Sequence, residues 1–182
     1  RDLDVAELVT DNWRELNPAY WRLVRRMQAE CDNFFIWRPP CMQSDPFFMP
    51  AAHLVNPPDR EEGGMVLKTQ TLPIGPHTLQ TVRGCRPGTG HTWVLEHLCK
   101  CPEDAWRLLD LPWAGPPSEI GDFFELEHHL GTCGVMWVTI PSPILVVCRL
   151  FDPTEFLLLP LTEPELLHRL LEVTAERIRV NL

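Results

Sequence analysis

Apolar positions recur along this chain with two different periods. In "DVAELVTDNWREL" they fall three and four apart, the repeat of a helix with one buried stripe. "NPAYWRLVRRMQAE" repeats the pattern, with Asn17 as the cap and Pro18 at the first helical position. Both segments are predicted helices. "CDNFFIW" is a short, unbroken apolar and aromatic run halted by "RPP". It predicts a buried strand that ends at Pro39 and Pro40, because proline has no N–H for a ladder. Residues 39 to 64 carry Pro, Asp, Asn and a Gly pair and are expected to form a long loop. "MVLKTQTLPIGPHTLQTVRGCRPGTGHTWVLEHL" then places Thr, Val and Leu in near-alternation between the turn signals "GP" and "RPGTG". That predicts an antiparallel excursion of two or three strands.

Three later segments open with a cap, a proline and an acid in the first turn: "CPED" at 101, "DPTE" at 152 and "TEPE" at 162. Asp152 with Glu155, and Thr162 with Glu165, have capping-box spacing. The last predicted helix keeps Leu166, Leu167, Leu170, Leu171, Thr174 and Ile178 on one stripe, which requires a partner surface. "VMWVTI" reads as a second fully buried strand, preceded by a helix over "PSEIGDFFELEHHLG" that stops at Gly131. The alternation of helix and strand assigns the chain to the α/β class, with no internal repeat.

Composition narrows the function classes. At 182 residues, 45% apolar and 23% charged, the chain has the make-up of a soluble globular domain. A net charge of -9 with two lysines and no basic run argues against nucleic acid, which needs clustered cations. Apolar runs break at Pro or Arg before the roughly 18 to 20 residues that cross a bilayer, so no membrane span is predicted. The chain opens at Arg1 without an apolar leader; no signal peptide is read, and further residues are expected to precede it. Seven scattered cysteines form no disulfide framework, and reduced thiols in the cytoplasm are the expectation.

The densest collection of chemistry is "HTWVLEHLCKC". On an extended strand His91 and His97 would stand roughly 20 Å apart, too far for one ion. His97, Cys99 and Cys101 are the candidate metal ligands, but zinc takes a closed tetrahedron at about 2.0 to 2.3 Å and no second pair supplies the fourth ligand. The competing reading makes Cys101 a helix cap followed by Pro102, Glu103 and Asp104, with the helix end lowering its thiol pKa. His128 and His129 follow Glu125 at helical spacing, as ligands or as last-turn residues that favour the helix dipole. His77 at the "GPH" turn and His53 in the long loop are placed to touch a substrate. Ser142 between two prolines lacks a His/Asp pair to activate it and a G-x-S-x-G elbow.

From Thr69 to Arg177 the order of blocks resembles the uroporphyrinogen decarboxylase superfamily, which also holds the cobalamin-dependent methyltransferases. "TLPIGPHTLQTV" and "WVLEHLCKCPEDAWRLL" are similar to that family's hairpin excursion and following helix start. "LGTCGVMWVTIPSPILVVCRLFDPTEFLLLPLTEPELLHRLLEVTAERI" is similar to its later strand and helices, and "AECDNFFIW" fits an earlier strand. The resemblance implies a TIM (β/α)8-type barrel with an antiparallel β-hairpin excursion. This chain would form the first half or so, as a single incomplete domain, with chemistry at the carboxyl ends of the strands.

The same resemblance places Arg38, after "CDNFFIW", and Pro141, Ser142 and Pro143, after "VMWVTI", at that rim. Arg38 could hold a substrate carboxylate through its guanidinium fork, or make a surface ion pair. Arg149 is open to the same two readings. The family's decarboxylases carry an aspartate where Pro39 stands and a tyrosine where Arg149 stands, and Tyr20 is the chain's single tyrosine. The departures point toward the methyltransferase branch, which, the resemblance implies, binds zinc through a His-x-Cys and a distant Cys of the carboxyl-terminal half and takes its methyl group from a corrinoid. The expected function is a methyltransferase or divergent carboxy-lyase acting on a small-molecule substrate, with a corrinoid protein as partner. The alternative is a non-catalytic barrel that binds a ligand or partner. A half barrel also leaves strand edges unpaired, so homo-oligomers are expected.

Overall fold

A computed structural model describes residues 22, 26, 30, 31, 33–37, 53–88, 91–113, 120–132 and 134–180. Its elements run β1 (Asn33–Trp37), β2 (Arg60–Glu62), β3 (Met65–Ile74), β4 (His77–Cys85), β5 (Thr92–Glu96), α1 (Pro102–Leu109), α2 (Gly121–Leu130), β6 (Gly134–Val138), α3 (Pro143–Cys148), α4 (Pro153–Thr162) and α5 (Pro164–Val180). The class is mixed α/β, with a two-stranded parallel sheet and a four-stranded antiparallel sheet; the described residues form no closed barrel. The first predicted helix lies outside the described residues. Of the second, Arg22, Arg26 and Glu30 are described, all helical and exposed, with an Arg26–Glu30 ion pair at 3.1 Å.

The chain divides into two compact units, Arg1–Pro40 with Ser118–Ile140, and Cys41–Pro117 with Pro141–Leu182. In the first, β1 and β6 pair in parallel, from Asn33 opposite Gly134 to Trp37 opposite Val138. Parallel neighbours cannot be joined by a tight turn and need a crossover, and α2 leads into β6. It stops at Gly131, whose φ of 52° favours glycine. Partners in a parallel register share a face, so Phe35, Met136, Trp37 and Val138 lie on one side and Ile36 with Trp137 on the other. The first side lies under α2, where Phe123 meets buried Trp37. On the second, Ile36, Val135 and Trp137 are 58%, 60% and 58% exposed.

In the second unit the sheet order is β2-β3-β4-β5, all antiparallel. The segment from Met65 holds three strands, as expected, and a fourth, Arg60–Glu62, lies in the segment read as loop and pairs with Met65–Leu67. The turn between them holds Gly63 and Gly64 at φ 59° and 75°, the two positive values that a tight two-residue hairpin demands.

Helices close the core of this unit. Leu72 and Leu79 from the sheet meet Leu98, Cys99, Ala105, Leu108, Val147, Phe151 and Leu159. Against them lies the α5 stripe: Leu166, Leu170, Thr174 and Ile178 are buried and Leu167 and Leu171 half-buried, as the spacing predicts. A fully buried leucine side chain contributes about 1.5–3 kcal/mol, so this stripe anchors α5. Thr174 is buried without penalty because its Oγ1 donates to the Leu170 carbonyl at 2.7 Å. Asp152 caps α4 by accepting the Thr154 N–H at 2.9 Å. Thr162 does not cap α5. It is the last residue of α4, where its Oγ1 donates back to the Leu158 carbonyl at 3.2 Å, and the Glu163 carbonyl instead accepts the Leu167 N–H.

Candidate functional site

The rim expected to carry chemistry begins where the parallel pair ends. Beyond Trp37 and Val138 the ladder gains one more bond, from the Thr139 N–H to the Trp37 carbonyl at 3.4 Å. Thr139 and Ile140 leave the sheet there, both exposed. Arg38 lies outside the described residues. The position that pins this end is Trp37, held edge-on by Phe123 at 5.2 Å, with Phe124 packed in turn on Phe123 at 5.4 Å. The aromatic spacing in "GDFFELEHH" signals a helix but not which ring reaches the sheet.

In the other unit, Ser142 occupies the N-cap of α3, where its Oγ accepts the Leu145 N–H at 3.3 Å. That is an ordinary helix start and gives the hydroxyl a structural task. Arg149 is exposed at the C-cap of the same helix. His77 stands exposed at the first position of β4, after the Gly75–Pro76 turn. His53 is exposed, as is His128 in the last turn of α2; the side chain of His129 lies outside the described residues.

The "HLCKC" segment is a structural joint. His97 Nδ1 donates to the Arg149 carbonyl at 3.3 Å, and the Cys99 N–H donates to the Leu150 carbonyl at 2.8 Å, so the approach to α1 is tied to the α3–α4 turn. Lys100 Nζ donates to the carbonyls of His97 and of Gln80, the latter at 3.0 Å, and pairs with Glu96 at 3.1 Å. Gln80 Nε2 donates to Glu96 at 2.7 Å. Partial burial works to raise the Glu96 carboxyl, but the bonds from Gln80 and Lys100 and the lysine charge outweigh it and hold the group below its ordinary value. Asp104, buried in the first turn of α1, accepts the Lys100 N–H and the Arg107 guanidinium, both at 2.9 Å. Sequence spacing showed Asp104 as a first-turn acid but not as the anchor of this network.

Neither thiol of the segment is activated. Burial pushes the Cys99 thiol far up, with the Asp104 charge adding to it. Cys101 does take the N-cap of α1, yet its side chain makes no cap bond. Its pKa is raised rather than lowered, first by desolvation and then by its hydrogen bond with Glu103. The Asp104 backbone N–H at the helix start works to lower it and is outweighed. The structure does not gather His97, Cys99 and Cys101 into a group that could hold a metal ion. Among the described residues no group of three or more His, Cys, Asp or Glu could hold a metal ion.

An open groove runs along the end of α5 between Trp113, Val173, Arg177 and Val180, with the Arg169–Glu172 ion pair beside it. Arg177 is buried with its guanidinium 5.4 Å from the Trp113 ring centre, and burial lowers its pKa to about 10, which leaves it charged at neutral pH. None of the residues singled out from sequence lines this groove. No helix among the described residues is long and apolar enough to cross a membrane. Comparison of the chain with family models, curated proteins and solved structures finds no significant match.

Proposed function

We propose that this chain is a portion of an α/β barrel of the uroporphyrinogen decarboxylase type. In the complete protein it would act as a methyltransferase-like or divergent carboxy-lyase enzyme on a small molecule bound at the carboxyl ends of its parallel strands. The observation that carries this reading is the parallel pairing of β1 with β6. One face of the pair lies under α2 and the other offers Ile36, Val135 and Trp137. Parallel strands occur almost only with both faces covered, and the inside of such a barrel is filled by branched and bulky apolar side chains. The face that carries Ile36 and Val135, both more than half exposed, has that character.

On this reading the chain's own residues bind and orient. Arg38 follows Trp37 in sequence, at the carboxyl end of β1, and would hold a substrate carboxylate in its fork. Arg149, Ser142 and His77 are the further candidate substrate contacts. Zinc and a corrinoid, with a corrinoid protein as partner, would be held outside the described residues. Cys85, Cys99, Cys101 and Cys148 are free thiols, which favours a reducing compartment, the cytoplasm. Incubating the complete protein with methylcobalamin and thiol acceptors tests the preferred branch, with methyl transfer the expected result. Turnover of uroporphyrinogen instead would assign it to the decarboxylases.

A second reading, a non-catalytic barrel that binds a ligand or partner, is favoured by one feature. Arg149 stands where the resemblance places a catalytic tyrosine, and it lies exposed at the end of α3. No turnover with either substrate, together with no metal by elemental analysis of the complete protein, would decide for it.

A further inference from the structure

We draw no further inference here: the strongest candidate, the exposed apolar patch formed by Leu157, Leu158 and Leu161 on α4, carries nothing because no feature of the structure shows what covers it.

Discussion

The indole of Trp37 receives the ring of Phe123 edge-on, with centroids 5.2 Å apart and planes at 70°. This contact holds α2 against the parallel pair, and Trp37 is 6% exposed as a result. Truncating so large a buried ring costs about 3–5 kcal/mol, so Trp37→Ala is expected to unfold the first unit or nearly so. Phe123→Ala should cost less, since Phe123 is half-buried. In a double-mutant cycle built on the milder Trp37→Leu and Phe123→Leu, the edge-to-face pair should contribute about 0.5–1.5 kcal/mol of coupling. Denaturant midpoints of the four proteins measure it; strictly additive losses would show that the two rings do not meet.

Much of this architecture was legible before coordinates, and the failures have physical causes. The strands "CDNFFIW" and "VMWVTI" announced themselves as unbroken apolar runs between breakers, and Gly131 marked the end of α2. The second strand reads as fully buried from its sequence, whereas Val135 and Trp137 are exposed and Thr139 and Ile140 lie beyond the strand. A run without alternation cannot say which face meets a helix, so the roles of Trp37 and Trp137 were not readable. Strand β2 consists of Arg60, Glu61 and Glu62, all exposed, and carries no apolar signal. Only its register against Met65–Leu67 makes it a strand. Thr162 had the spacing of a cap, but a threonine side chain can equally bond the carbonyl four residues back, and local sequence does not choose between the two. At the candidate site the joint role of "HLCKC" depends on carbonyls of Arg149 and Leu150, distant in sequence, which no motif encodes.

The thiols of Cys99 and Cys101 should be poor nucleophiles at neutral pH. Both pKa values are raised, chiefly by burial, so the neutral form dominates well above pH 7. Alkylation mapped by mass spectrometry should label exposed Cys31 first and Cys99 only on unfolding. Linkage gives the sign for stability. A thiol whose folded pKa lies above its unfolded value stabilises fully below the ordinary value near 9.0 and loses that contribution as pH rises beyond it. Denaturant midpoints should therefore fall from pH 8 to pH 10, and less steeply in Cys99→Ala. Rapid labelling of native Cys99 at pH 7 would contradict the buried placement.

Ser142 separates a structural task from a catalytic one. Its Oγ accepts the Leu145 N–H, so Ser142→Ala should cost about 0.5–2 kcal/mol of stability, and Ser142→Asp should restore most of it by supplying another cap acceptor. A nucleophile would behave otherwise, since aspartate cannot replace its hydroxyl. Thermal denaturation of the wild type and both variants, with turnover in the complete protein under the methyl-transfer assay, distinguishes the roles. Loss of turnover in Ser142→Asp with unchanged KM and normal stability would overturn the capping assignment as the residue's main role.

The side of the parallel pair that carries Ile36 and Val135 makes a prediction about association. Ile36, Val135 and Trp137 expose more than half of their surface on one face, and exposed apolar surface drives chains together. Produced as these 182 residues, the protein is expected to self-associate with rising concentration, and Val135→Lys with Trp137→Lys should shift it toward monomer. Within the longer barrel proposed above, the same two substitutions would act differently. If further strands pack on this face, two buried unpaired lysines would each cost several kcal/mol and abolish folding. If the face meets solvent, each change should stay within about 0.5 kcal/mol. Light scattering on the short chain and denaturation of the complete protein read the two cases separately. A monomeric short chain at every concentration, beside a complete protein indifferent to both lysines, would remove the support for a barrel.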